Sequence, residues 1–155
     1  MSTLEIGSKA PAFTLKNQHS QTVKLSDFKG KKLLIYFYPR ANTPGCTVQS
    51  CAVGENLTAL RKAGVEAVGI SPDEPAAQLK FDEAYKLGFP LLCDTDHAVA
   101  EAYAVWVEKN MYGNKSMGIL RSAFLVDETG KLIGVWYKVK PDETVPNVKT
   151  QLSIK

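Results

Sequence analysis

The sequence has no long hydrophobic run: no unbroken apolar stretch exceeds the length of Leu33 to Tyr38, far short of the ~20 residues that a membrane helix needs. A membrane-spanning helix is therefore not expected. The N-terminal stretch Met1 to Gly7 lacks both the basic and the apolar region of a secretory signal, which points to a cytoplasmic protein. Charge of one sign is scarce as well. The formal net charge is +3 and the lysines are spread along the chain, so there is no basic stripe to neutralise phosphates, and nucleic acid is not an expected partner. Internal repeats, low-complexity segments and Gly/Ser-rich linkers are missing, and a second domain has nowhere to begin. The expectation is one domain over residues 1–155, with the 45% apolar and 23% charged residues of an ordinary globular protein.

Cysteine is also sparse, at three residues. An odd number cannot all pair within one chain, and a reducing cytosol disfavours structural disulfides. Cys46, Cys51 and Cys93 are then buried spectators, metal ligands or redox catalysts.

Two short strands are expected at Ala12 to Leu15 and Thr22 to Leu25, around the polar turn Asn17 to Ser20, followed by a turn at Ser26 to Gly30. Leu33 to Tyr38 is an uninterrupted apolar run of strand length, the pattern of a central strand covered on both faces. A helix is expected from Cys46 to Ala63, where Val53, Leu57 and Leu60 recur at helical spacing before Gly64. Val65 to Ile70 reads as a second buried strand. Ser71-Pro72-Asp73 opens a helix through Leu87, Phe89 to Cys93 returns as a strand, and Ala98 to Tyr103 is a short helix. The composition of Asn110 to Gly118 predicts a mobile loop. Strands Arg121 to Val126 and Leu132 to Tyr137 flank the turn Asp127 to Gly130, and Val145 to Leu152 closes as a helix. Early alternation of strands and helices with a late hairpin predicts an α/β protein with a mixed central sheet flanked by helices, in the order of a thioredoxin-like fold with an N-terminal β extension.

The segment Tyr38-Pro39-Arg40-Ala41-Asn42-Thr43-Pro44-Gly45-Cys46-Thr47-Val48-Gln49-Ser50-Cys51 joins the central strand to the first helix. Cys46 falls in the first helical turn, where free backbone N–H groups and the positive end of the helix dipole face its sulfur. Such positions lower a cysteine pKa from about 8.5 to roughly 3.5 to 7.5. Thr43 can accept from and donate to groups around the sulfur, while Pro39 and Pro44 offer apolar walls without N–H groups. These features suit attack by a thiolate on an O–O bond.

The pattern Pro39-x-x-x-Thr43-x-x-Cys46 resembles the peroxiredoxins, and Tyr38-Pro39 to Thr43-Pro44-Gly45-Cys46-Thr47 resembles their Q group, the bacterioferritin comigratory proteins. The likeness extends through Gly7 to Phe13, Phe28 to Lys31, Gly69-Ile70-Ser71, Phe89 to Leu92 and Arg121 to Asp127. It implies a thiol peroxidase with no cofactor or metal, with Cys46 as peroxidatic cysteine, Thr43 and Arg121 as activating partners, and Pro39 as a shield. It also implies hydroperoxide substrates, reduction by thioredoxin or a similar dithiol, and a monomer. From spacing alone, Arg121 would read as a surface arginine beginning an edge strand. The chain departs from many members at Gln49, where they carry Glu, and at Ala123, where they carry Thr; tuning of the site is expected.

Cys51 is then the resolving candidate, although a helical cysteine can equally pack as a small hydrophobe. Five helical steps put the two Cα atoms roughly 8.7 Å apart on divergent faces, whereas a disulfide wants less than about 7 Å. The helix must unwind before the bond forms. Cys93 reads as a core thiol with a secondary possibility of alternative resolver, Trp106 and Tyr36 to Tyr38 read as core, and His19 and His97 have no catalytic context. Two alternatives stay open: a metal module using Cys46-x4-Cys51 with Cys93-x3-His97, and a disulfide reductase acting on proteins.

Overall fold

The apolar run at Leu33 to Tyr38 organises the molecule because its side chains alternate between two cores. Leu34, Tyr36 and Tyr38 enter one, and Leu33, Ile35 and Phe37 enter the other, so a strand here is covered on both faces. The computed structural model describes residues 3–153. In it this segment is β3 (Lys32–Phe37), flanked by parallel β4 (Val65–Ser71) and antiparallel β8 (Ser122–Val126). The sheet has seven strands in the order β2-β1-β5-β4-β3-β8-β9. Its remaining members are β1 (Thr14–Lys16), β2 (Thr22–Lys24), β5 (Leu91–Cys93) and β9 (Leu132–Trp136). The hairpin of β1 and β2 docks antiparallel on β5, which is the expected N-terminal extension. The turn expected after it is a short 3₁₀ helix at Leu25–Phe28.

Helices cover both faces. α1 (Pro44–Glu55), α2 (Leu57–Lys62), α3 (Pro75–Tyr85) and α5 (Thr144–Gln151) supply Val53, Leu60, Phe81 and Val148 to the first core. α4 (Ala98–Ala102) supplies Val99 and Ala100 to the second, together with Ala10 and Phe13. Among the described residues no helix is long and apolar enough to cross a membrane.

Three expectations need correction. The helix expected over Cys46 to Ala63 begins at Pro44 and breaks at Asn56. Asn56 turns its amide back onto the Ala52 carbonyl at 2.8 Å while its oxygen accepts from Lys149 Nζ at 2.8 Å, so a side chain competes with the helical ladder. The next helix starts at Pro75 rather than Ser71, because Ser71 still pairs with Cys93 in the sheet. Asn110 to Gly118 is not a loop. β6 (Trp106–Met111) and β7 (Asn114–Ile119) form a separate antiparallel ribbon closed by Tyr112-Gly113. Both turn residues have positive φ, +54° and +82°, as the tight two-residue hairpin turn requires.

Gly69 makes a testable point about this core. A Cβ added there would lie 2.7 Å from Tyr36 Oη and 3.0 Å from Tyr38 Cε1. Both rings are fixed, Tyr36 by Ser50 at 2.7 Å and Tyr38 by Gln78. Gly69→Ala is expected to cost about 1–3 kcal/mol of stability, read as a lower urea midpoint at unchanged slope. An unchanged midpoint would show that the two tyrosines can move.

Candidate active site

The chain leaves β3 at Tyr38, and a buried polar network fixes the loop that follows. Tyr38 Oη donates to Gln78 Oε1, Gln78 Nε2 donates to Ser71 Oγ at 2.9 Å, and Ser71 Oγ donates to Asp73 Oδ2 at 2.7 Å. Asp73 Oδ2 also accepts the Ala41 N–H at 2.6 Å. The loop is thus tied to β4 and α3 at residues 38 and 41, on either side of half-buried Pro39. Burial holds the Tyr36 and Tyr38 hydroxyls far above the ordinary tyrosine pKa, so both stay protonated and serve as hydrogen-bonding struts. Asn42 follows at φ +63°, a left-handed conformation that asparagine tolerates.

Thr43 occupies the N-cap of α1 and Pro44 its first turn. The Thr43 hydroxyl donates to the Arg40 carbonyl at 2.9 Å. It braces the loop and makes no hydrogen bond to the sulfur in this geometry. Cys46 sits in the first turn, 1% exposed. Arg121, immediately before β8, donates from Nη2 to Cys46 Sγ at 3.4 Å and from Nη1 to Gln49 Oε1 at 2.8 Å. Gln49 is itself buried and donates from Nε2 to Thr144 Oγ1 at 2.9 Å. A chain of contacts therefore runs from the start of α5 through α1 to the sulfur. Gly45 makes room for it: a Cβ there would stand 3.0 Å from Arg121 Nη2 and 3.4 Å from Pro141.

The other cysteines differ. Cys51 is half-buried against the first core, and burial, with a smaller contribution from Glu55, raises its pKa. Cys93 is buried, and burial pushes its thiol up to about 11, helped by Asp73 and Glu74. All three are free. Among the described residues no three His, Cys, Asp or Glu side chains gather as metal ligands, so the four residues of the metal alternative are not brought together. His97 instead stacks on half-buried Trp106 with ring centroids 3.9 Å apart. A cavity of about 440 Å³ opens at the other end of β3, and none of its lining residues belongs to this site.

Of the residues singled out in the sequence, the fold brings Cys46 and Arg121 into contact and places Thr43 and Pro39 in the supporting loop. Cys51 lies further along α1. Sequence reasoning missed Asp73, taken as a helix start, and Thr144. The pairing of Thr144 with Gln49 spans most of the chain, and no local signal carries it.

A thioredoxin-like sheet that presents a helix-start thiol to an arginine defines the class of thiol-dependent peroxidases. Comparison with known proteins narrows this. The AhpC/TSA family model matches residues 6–135. The chain is 46% identical to peroxiredoxin Bcp of Bacillus subtilis over 143 residues, 92% of this chain and 91% of the relative. It is 47% identical to peroxiredoxin Bcp of Escherichia coli over 132 residues, 85% of each. Peroxiredoxin Q of Xanthomonas campestris superposes with a TM-score of 0.86 at 35% identity, covering 91% of this chain and 89% of that one. A cysteine-to-serine variant of the Xylella fastidiosa protein PrxQ gives 0.92 at 29% identity, covering 99% and 98%. The chain belongs to the AhpC/TSA family and, within it, is a peroxiredoxin of the Bcp/Q type, a thiol peroxidase.

Proposed function

We propose that Cys46 attacks the peroxide, that Cys51 resolves the product as a disulfide, and that a thioredoxin-class dithiol restores both thiols. The contact of Arg121 Nη2 with Cys46 Sγ at 3.4 Å carries this reading, because a charge-assisted hydrogen bond is strongest when the sulfur is anionic. The thiolate attacks one oxygen of ROOH: the S–O bond forms, the O–O bond breaks, and the electron pair leaves on RO⁻, which takes a proton and departs as alcohol, or as water from hydrogen peroxide. Arg121 and the amides at the start of α1 supply donors where that charge develops. Organic hydroperoxides fit as substrates too. The Xanthomonas campestris bacterioferritin comigratory protein, a structural neighbour, is described as reducing alkyl peroxides.

Sulfenic Cys46 then meets Cys51, whose thiolate forms the S–S bond as hydroxide leaves and is protonated to water. Until then burial keeps Cys51 neutral and quiet. Two buried ties lie between the cysteines, Tyr36 Oη with Ser50 Oγ at 2.7 Å and Gln49 with both Arg121 and Thr144. Both must break for the helix to open. An external dithiol next attacks the disulfide, passes through a mixed disulfide and leaves oxidised. This cycle suits a reducing cytoplasm and a single-domain monomer.

One equivalent of hydrogen peroxide should convert the reduced protein to a form carrying a Cys46–Cys51 disulfide in its peptide map. The amides of α1 should lose exchange protection in that form while those of β3 keep theirs. Cys51→Ser should instead accumulate sulfenic acid on Cys46 that a dimedone probe captures. A disulfide through Cys93, or equal protection of α1 in both forms, would overturn the resolving step.

A further inference from the structure

The middle of the sheet is cut away around one ring. Tyr36 on β3 stands in register with Gly69 on β4 and with Ala123 on β8, so neither neighbouring strand sets a side chain larger than a methyl beside it. The ring is fully buried, stacks on Tyr38 at 5.5 Å and meets Phe89 edge-on at 6.1 Å. Its hydroxyl leaves the sheet and shares a hydrogen bond with Ser50 Oγ at 2.7 Å. Ser50 is fully buried too, and it directly precedes Cys51 in α1. A central strand therefore grips the helix one residue before Cys51.

The two ties between the cysteines differ in what else they touch. Gln49 also accepts from Arg121, whose other terminal nitrogen donates to Cys46 Sγ, so a change at Gln49 reaches the sulfur. Among the described residues, neither hydroxyl of the Tyr36–Ser50 pair is hydrogen-bonded to Cys46 or Arg121. Opening the first turns of α1 must nonetheless part the pair, because Ser50 moves with Cys51 while Tyr36 is held by the strands on both sides. Burial keeps the Tyr36 hydroxyl protonated, so it stays a partner for Ser50 throughout the cycle.

We infer that Tyr36 and Ser50 are positioning residues for the second half of the cycle: their bond holds α1 closed once Cys46 is oxidised, slowing disulfide formation and leaving attack on the peroxide untouched. The inference rests on Cys51 being the resolving thiol and goes beyond it by naming what times its arrival. While the latch holds, sulfenic Cys46 is open to a second hydroperoxide. Its sulfur attacks, a second S–O bond forms, the O–O bond breaks, and RO⁻ takes a proton and leaves as alcohol or water, giving sulfinic acid. The latch thus sets the peroxide level at which Cys46 is lost to over-oxidation.

Tyr36→Phe keeps the ring and its stacking, and Ser50→Ala leaves the sheet unaltered. Each strands the other hydroxyl without its partner in the closed form, whereas the open form lets water reach it. Reduced protein is mixed with hydrogen peroxide, quenched in acid at intervals and weighed, since sulfenic acid and disulfide differ in mass. The peroxide-dependent first phase should stay within about twofold of wild type, and the peroxide-independent second phase should quicken about tenfold in each variant. The double variant should fall between wild type and the single variants, because no buried hydroxyl is then stranded. During turnover with dithiothreitol, the peroxide concentration that converts half of Cys46 to sulfinic acid should rise about tenfold in the single variants, in step with the second phase. An unchanged second phase in both single variants overturns the inference. So does an equal change of both phases, which would make the pair a general support of the site. Ser50→Ala carries the test even where Tyr36→Phe is poorly folded. Absence of a Cys46–Cys51 disulfide from the peptide map of oxidised wild type would instead sink the resolving role of Cys51, a result distinguishable from either.

Discussion

Replacing Cys46 with serine is expected to abolish peroxide turnover, lowering the rate by more than about a thousandfold, while leaving the fold intact. A hydroxyl at this position is a poor nucleophile at neutral pH, and nothing in the surrounding donor set deprotonates it: Tyr36 and Tyr38 are locked in their protonated form, and Arg121 is a donor. Serine is close to cysteine in size, so the first core that Cys46 joins loses little. The thermal transition should therefore stay near that of wild type, and retained stability with lost activity is what separates a chemical role from a packing role. Two companions sharpen the result. Cys51→Ser should perform its first turnover at the wild-type rate and then stall with thioredoxin-class reductants. Cys93→Ser should behave as wild type, because burial holds that thiol protonated up to about pH 11. Peroxide consumption in Cys46→Ser would move the nucleophile elsewhere.

The parts of the molecule that the sequence revealed are those whose structure is decided locally. β3 was legible because the uninterrupted apolar run Leu33 to Tyr38, which fills it and passes its end, can only be buried on two faces. That a helix begins beside Cys46 was legible, although its start lies at Pro44 and not at Cys46, because proline suits the first helical turn with its fixed φ and missing N–H. The ribbon of β6 and β7 was not. It stands outside the main sheet, and Asn114 to Met117 in β7 is exposed residue after residue, so no alternation of apolar and polar positions marks it. Only its turn, through Gly113, gave a local sign. The break at Asn56 was hidden for another reason, since the lysine that engages its oxygen comes from α5.

The same division runs through the site. The loop from Pro39 to Cys46 announces a reactive thiol by itself. Arg121 does not announce its role, and only the resemblance picked it out, because its place beside Cys46 depends on β8 pairing with β3. Gln49 was visible as a departure from many relatives. What it does was not visible: it spends both ends of its amide, accepting from Arg121 and donating to Thr144. A carboxylate would accept from both, and Thr144 would then have to donate.

Arg121→Met is expected to lower kcat/KM for hydrogen peroxide by about 10²–10³, the range seen when one donor to a developing oxyanion is removed. The residual activity reflects the amides at the start of α1, which stay in place. Loss of the guanidinium also leaves Gln49 Oε1 buried without a donor, an effect of about 1–3 kcal/mol on stability, so rate and stability fall together and must be separated. Thr144→Val does this. It breaks only the far end of the chain, removing the acceptor of Gln49 Nε2, and should cost stability on the same scale with a rate loss of no more than about fivefold. Arg121→Lys is the third arm. An ammonium keeps the charge but lacks the planar fork that reaches Cys46 Sγ and Gln49 Oε1 at once, so its rate should lie between those of wild type and Arg121→Met. Single-turnover oxidation of the reduced protein reads these steps without recycling. If Arg121→Met oxidises at the wild-type rate, the guanidinium at 3.4 Å from the sulfur is a structural contact, and the helix start alone drives the reaction.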